Sequence, residues 1–232
     1  MTFKSHIIYF ICLYKLWKEK TLLSYKNVIK SSILDDDNTT KMYIIASGEK
    51  TYFDELKQIW KHPKIEFIFY SENIKLHEYP GIEMVKKISI NNPQDKIFYF
   101  HSKGITRKNA ADDWVAYLEY FNIENYNLAI DLLNSGYDAV SVEYLQNPKP
   151  HFSGNFWWAN CNYINKLKLP NSNSKRHDFE FFIGNSNEFK FMSLHQSIND
   201  SKWFNGFNAK NRGIYTIENY KNKFIKREFK KV

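Results

Sequence analysis

The chain alternates short apolar runs with stretches in which apolar residues recur every three or four positions. Residues 6–13 (HIIYFICL) are continuously apolar, as in a strand covered on both faces. Leu22, Tyr25, Val28 and Ile29 then recur at helical spacing over 17–29. The pattern repeats: strand 42–46 ending at Ser47-Gly48 and helix 51–60, strand 65–70 (IEFIFY) and helix 79–90, then strand 96–100. This alternation predicts a single-domain α/β fold, a Rossmann-like, mostly parallel sheet flanked by helices, which binds ligands at the carboxyl ends of its strands.

Further on, the pattern predicts a polar loop over 101–109, helices over 111–121 and 123–134 stopped by Gly136, and a fifth strand over 138–144. A turn over 146–150, a short helix over 178–183 and a last strand over 189–194 follow. The polar, basic remainder reads as a loosely packed tail, so the domain is assigned to residues 1–204 and the tail to 205–232. With 43% hydrophobic and 25% charged residues, the 232-residue chain buries a core and is neither disordered nor fibrous. The apolar segment 6–17 is too short to span a membrane and no small-residue cleavage pattern follows it, so it reads as a buried strand and no transmembrane segment is expected. Cys12 and Cys161 both lie in apolar stretches, which suits free core thiols and a cytoplasmic, reducing compartment.

The net charge of +8 raises the question of nucleic acid, but 29 of the 33 basic residues are Lys and four are Arg. Bidentate recognition of phosphates and base edges favours Arg, so no nucleic-acid partner is expected. A moderate positive field still attracts an anionic substrate such as a nucleotide diphosphate. The aromatic share of 18% exceeds what the core needs and leaves rings for a binding surface. Dehydrogenase, P-loop, α/β-hydrolase and zincin readings fall away, because GxGxxG, a Walker loop, GxSxG, HExxH and a paired CxxC are all missing.

Three segments carry candidate chemistry. At the end of strand 96–100, His101, Ser102 and Lys103 meet solvent beside Gly104, and a cation, a hydroxyl and free backbone amides there can hold phosphate oxygens. In residues 151–160 (HFSGNFWWAN), Ser153-Gly154-Asn155 is a polar turn between aromatics, Asn155 beside Gly154 suits a hydroxylated ligand, and His151 is counted with them as an acceptor contact. Trp157 and Trp158 follow, and because neighbouring strand residues face opposite ways, one indole is expected to remain free for stacking on a sugar. In the third segment Arg176 and Glu180 stand four apart, either as a helical salt bridge or with Glu180 or Asp178 as a base for an attacking hydroxyl. Asp35-Asp36-Asp37 precedes a strand and reads as a solvated turn, and Asp112-Asp113 as the acidic start of a helix.

The motifs SSILDDDNTTKMYIIASGE, HEYPGIEMVKKI, IFYFHSKGITR, YDAVSVEY, HFSGNFWWANCNYINKL and RHDFEFFIG together resemble a group of small glycosyltransferase-like proteins of GT-A type, found in large DNA viruses and bacteria. The His-Ser-Lys element is also similar, more distantly, to that of rhamnan-synthesis glycosyltransferases. The resemblance spans about residues 6–195 and implies a nucleotide-sugar-dependent transferase with a glycan acceptor. It implies donor contacts at His101, Ser102, Lys103 and Gly104, acceptor contacts around Gly154, Asn155 and Trp157, and a role for Glu180. Where GT-A enzymes usually place Asp-x-Asp for a divalent ion, this chain has His101-Ser102-Lys103, so no metal is expected at that position. The alternatives are a non-catalytic carbohydrate-binding descendant of such an enzyme and, further off, a basic nucleic-acid-binding protein.

Overall fold

A computed structural model describes residues 3–106, 111–196 and 215–231. The predicted alternation is present as β1 (Ser5–Leu13), α1 (Trp17–Lys30), β2 (Thr39–Gly48), α2 (Lys50–Ile59), β3 (Ile65–Ser71), α3 (Tyr79–Asn91) and β4 (Lys96–His101). Beyond it come α4 (Asp112–Glu119), α5 (Tyr126–Asn134), β5 (Ala139–Ser141), β6 (Tyr144–Leu145), β7 (His151–Phe152), β8 (Trp157–Asn160), α6 (Cys161–Lys166), α7 (Arg176–Glu180), β9 (Phe189–Ser193), α8 (Ile217–Tyr220) and β10 (Arg227–Lys231).

Eight strands form one sheet in the order β10-β9-β5-β8-β4-β1-β2-β3. β1 to β4 run parallel, β8 enters antiparallel between β4 and β5, β9 runs parallel to β5, and β10 closes the edge antiparallel. The fold is thus α/β with a mostly parallel sheet. Alternation along each strand divides the core into two layers, because successive side chains point to opposite faces. Tyr9, Ile11, Phe98 and Phe100 face the layer closed by α1, α2, α4 and α5. Ile8, Phe10, Ile97 and Tyr99 face the one closed by α3, α6 and α7.

Three expectations are corrected. The strand expected over 138–144 splits: Ala139–Ser141 stays in the main sheet, Glu143 takes a positive φ of 50°, and Tyr144–Leu145 pairs with His151–Phe152 in a separate two-stranded ribbon. The helices expected over 111–134 are interrupted by a π-turn at Tyr120–Glu124. Residues 215–231 are no loose tail, since Tyr215 and Tyr220 are buried and β10 pairs with β9 along its whole length. The assigned boundary at 204/205 lies outside the described residues. Among the described residues no helix is long and apolar enough to cross a membrane, and both cysteines are free thiols.

Candidate functional site

The carboxyl ends of β1 and β4 lie side by side, and Ser102 locks them together. Its backbone N–H donates to Phe10 O at 2.8 Å and its Oγ accepts from the Cys12 N–H at 2.9 Å. With Ser102 held in the backbone lattice, His101 turns into the protein and Lys103 turns toward a cavity of about 300 Å³. Cys12, Glu78, His101, Lys103, Gly104 and Arg176 contribute to its walls. Gly104 adopts φ +72°, in the left-handed region, which lets the chain turn directly after Lys103.

The polar floor of this cavity is a closed network around Glu78, the residue just before α3. One Glu78 oxygen accepts from the Tyr99 hydroxyl at 3.0 Å and from Asn155 Nδ2 at 2.6 Å. The other lies 3.6 Å from His101 Nδ1, just beyond hydrogen-bond length. His101 Nε2 faces both the Gly154 carbonyl oxygen at 3.1 Å and the Lys103 ammonium at 3.2 Å. A neutral ring satisfies only one of these two neighbours in each tautomer: the carbonyl requires Nε2–H, the ammonium requires the lone pair. The tautomer of His101 therefore decides which of the two neighbours is satisfied.

Burial sets the protonation of this group. It raises the Glu78 carboxyl above its usual range; Lys103 opposes the rise, Glu180 adds to it, and the bonds from Asn155 and Tyr99 oppose it. Burial, then the charges of Lys103 and Arg176, hold His101 well below the usual imidazole value, so the ring is neutral. Burial also lowers Lys103, against the pull of Glu180 and Glu78. Lys103 Nζ sits 4.6 Å from the centre of the Trp114 ring, a cation–π contact. Among the described residues neither Lys103 nor Arg176 has a carboxylate within ion-pair distance.

The segment expected to touch an acceptor is spent on the interior. Trp157 and Trp158 do face opposite sides of β8, but β8 is an inner strand with a packed layer on each side, so both rings are fully buried and neither is free to stack. Trp157 Nε1 donates to Asn155 Oδ1 at 2.8 Å and Trp158 Nε1 to Asn122 O at 2.9 Å. The buried Asn155 divides its amide between Glu78 and Trp157, and so holds the floor instead of a ligand. Gly154 has φ +94°, and a Cβ there would lie 2.6 Å from Leu118 Cδ1. His151 is buried, with Nδ1 2.7 Å from Lys149 O and its ring edge against Phe181.

The helix α7 separates the two candidate bases. Asp178 Oδ2 accepts the Lys175 N–H at 3.0 Å, capping its own helix, and Asp178 borders a different hollow. Glu180 is partly exposed, and its field reaches Glu78, Tyr99 and Lys103. The Arg176–Glu180 bridge does not form: Glu180 Oε2 has His177 Nδ1 at 3.7 Å instead, and Arg176 lines the cavity.

This chain belongs to the DUF8361 family. The family is described as a domain of unknown function, and its profile matches residues 27–209, which include β4, β8 and α7. No curated protein matches the DUF8361 chain in sequence. Among solved structures it is similar to a 4-diphosphocytidyl-2C-methyl-D-erythritol synthase at 12% identity and a TM-score of 0.40, over 84% of this chain and 89% of that one. The corresponding synthase from Anaerococcus prevotii DSM 20548 gives 13% identity and a TM-score of 0.42, over 82% and 87% of the two chains.

Sequence reasoning on this DUF8361 chain passed over Glu78, Tyr99 and Trp114. Glu78 follows His77 and precedes Tyr79-Pro80, where a helix-start carboxylate is ordinary, and its burial depends on contacts with residues 21 and 77 positions away. A second buried group stands at the ends of β5 and β9, where the Tyr117 hydroxyl donates to Glu143 at 2.9 Å and lies 3.0 Å from His195 Nδ1.

Proposed function

We propose that this protein is a glycosyltransferase: it holds the diphosphate of a nucleotide-sugar donor in the cavity at the ends of β1 and β4 and transfers the sugar to a hydroxyl of a glycan acceptor. The observation that carries this reading is the pair of cations, Lys103 and Arg176, lining one cavity with no carboxylate in ion-pair reach among the described residues. A partly desolvated cation without a counter-ion is stabilised by an anionic ligand, and the ends of adjacent parallel strands are where such folds bind one. The resemblance of the HSKG and SGNFWWA elements to GT-A-type transferases makes that anion a nucleotide diphosphate.

In the transfer, Glu180 takes the proton of the acceptor hydroxyl as its oxygen bonds to the anomeric carbon. The bond from that carbon to the diphosphate breaks, and the electron pair leaves on the diphosphate oxygen, facing Lys103 and Arg176. His101 Nε2 meets Lys103 at 3.2 Å, and Glu78, itself held by Asn155 and Tyr99, attracts the ammonium. The residues at the strand end do not fit a divalent ion, since His101-Ser102-Lys103 presents an ammonium where a carboxylate pair would be needed. The alternative is a non-catalytic carbohydrate-binding descendant, suggested by the missing Asp-x-Asp; burial of Trp157 and Trp158 means that such a protein would have to bind sugar without these two rings.

The test is a thermal-shift series with nucleoside diphosphates and nucleotide sugars, with manganese or with EDTA, on the wild type and Lys103→Ala. A donor at a hundredfold excess over its Kd stabilises the folded state by about 2.7 kcal/mol. The expected result is a donor-specific shift that survives EDTA and is lost in Lys103→Ala. Because burial lowers the Lys103 ammonium, the shift should fade with rising pH before an ordinary lysine loses its charge. No shift with any donor overturns the reading.

A further inference from the structure

A hollow of about 970 Å³ lies away from the strand-end cavity, between the 149–150 turn, the chain after α6, and the segment from α7 to β9. Its rim carries Lys149, Lys166, Lys168 and Lys231 against two carboxylates, Asp178 and Glu188. All four lysines are exposed. Among the described residues none of them has a carboxylate within ion-pair distance; Lys231 Nζ meets only the Ser186 carbonyl, at 3.5 Å. Asp178 is already engaged in capping α7. The balance inside the hollow is therefore positive, on amines that act as point charges.

The rest of the lining is amide and hydroxyl. Asn171, Asn185, Asn187 and Ser174 face the same space, the donor and acceptor groups that bind sugar hydroxyls. Phe181 is the one aromatic ring among the lining residues, and Lys149 lies 5.7 Å from its centre, so successive stacked bases find no platform. The floor is closely packed: Gly184 lies so near the 149–150 turn that a Cβ there would be 1.9 Å from Pro150 O. Helix α7 contributes to both sites, Arg176 to the donor cavity and Asp178 to this hollow.

We infer that this hollow is a binding site for an acidic saccharide, with the lysines meeting its carboxylate, sulfate or phosphate groups and the asparagine side chains its hydroxyls. It deepens the transferase reading only in making that saccharide the acceptor; the binding itself is independent of turnover.

The experiment measures binding of a labelled oligogalacturonate to the full chain by fluorescence anisotropy, with a neutral malto-oligosaccharide and a single-stranded oligodeoxynucleotide as competitors. The wild type is compared with Lys166→Glu/Lys168→Glu and with Lys26→Glu/Lys30→Glu, a charge-matched change of exposed residues on α1. The expected result is binding displaced by unlabelled oligogalacturonate, not by the neutral sugar, and weakened about tenfold or more by the hollow variant alone. No binding, equal weakening by the α1 variant, displacement by the neutral sugar, or tighter binding of the oligonucleotide with the same variant dependence would each overturn the proposal. The donor thermal shift is recorded on the same variants. Loss of saccharide binding with the donor shift intact separates the two sites, whereas saccharide binding without any donor shift sinks the transferase reading and leaves the hollow standing.

Discussion

The two hollows use charge in opposite ways. At the ends of β1 and β4, Glu78, His101 and Asn155 are sunk in the protein, and hydrogen bonds involving the Tyr99 hydroxyl, the Asn155 amide and the Gly154 carbonyl tie them together. In the hollow beyond α6 the lysines stand in solvent, and among the described residues none has a carboxylate within ion-pair distance. A desolvated charge interacts strongly with its neighbours and is costly to leave alone, while an exposed one is screened over about 8 Å at physiological salt. Changes at the first site should therefore disturb stability and function together. Changes at the second should alter binding and spare the fold.

The largest effect should come from Gly184, where the open hollow rests on close packing. Gly184→Ala sets a Cβ against the Pro150 carbonyl and is expected to cost about 3–4 kcal/mol in urea denaturation; a loss under about 1 kcal/mol would mean that the floor yields easily.

Next is the pH dependence of the buried carboxyls. Glu119 accepts from Ser24 and Asn27 of α1, and burial pushes it up to about 7, against those two hydrogen bonds. A folded value above the unfolded one means that the folded state holds the proton more tightly, so its contribution is present at low pH and is lost as pH rises toward about 7. The loss amounts to about 3 kcal/mol across that window, and Glu119→Gln should flatten the stability profile there. His195 runs the other way: burial lowers it to about 4, so stability falls as pH drops from the ordinary imidazole value toward about 4. An unchanged profile in Glu119→Gln would show that the carboxyl is ionised at no cost.

Glu78→Ala strands the Tyr99 hydroxyl and the Asn155 amide and should cost about 2 kcal/mol, with loss of donor binding, whereas Glu78→Gln keeps most of the stability but changes the pH profile of donor binding. Equal donor-binding profiles in the wild type and Glu78→Gln would remove Glu78 from the positioning of Lys103. At the small end, Lys166→Glu/Lys168→Glu should shift stability by no more than about 0.5 kcal/mol, as for exposed side chains without partners. A larger loss would break the contrast between the two hollows.

The parallel half of the sheet was legible because β1, β2 and β4 are covered on both faces and so read as unbroken apolar runs, each followed by a helix with regular spacing. The other half was harder to read. β8 has four residues and β5 three, too few to show a period, and the antiparallel insertion of β8 depends on pairing with β4, more than fifty residues earlier. At the site, the sequence pointed to His101-Ser102-Lys103 because it ends a buried strand, and it could not show that Ser102 would be used to tie β1 to β4. Adjacent tryptophans were correctly set on opposite faces, but which faces remain open depends on what lies above and below the strand.

The periodicity of the chain by itself determined the α/β class, the parallel core and the strand end that carries Lys103, because these follow from which residues avoid water along a local stretch of backbone. Only the tertiary structure decided that Glu78, Tyr99, Asn155 and His101 share one buried network, that Arg176 faces Lys103's cavity and not Glu180, and that four scattered lysines rim one hollow. Burial and charge proximity are properties of pairs brought together from distant parts of the chain, and no local pattern encodes them.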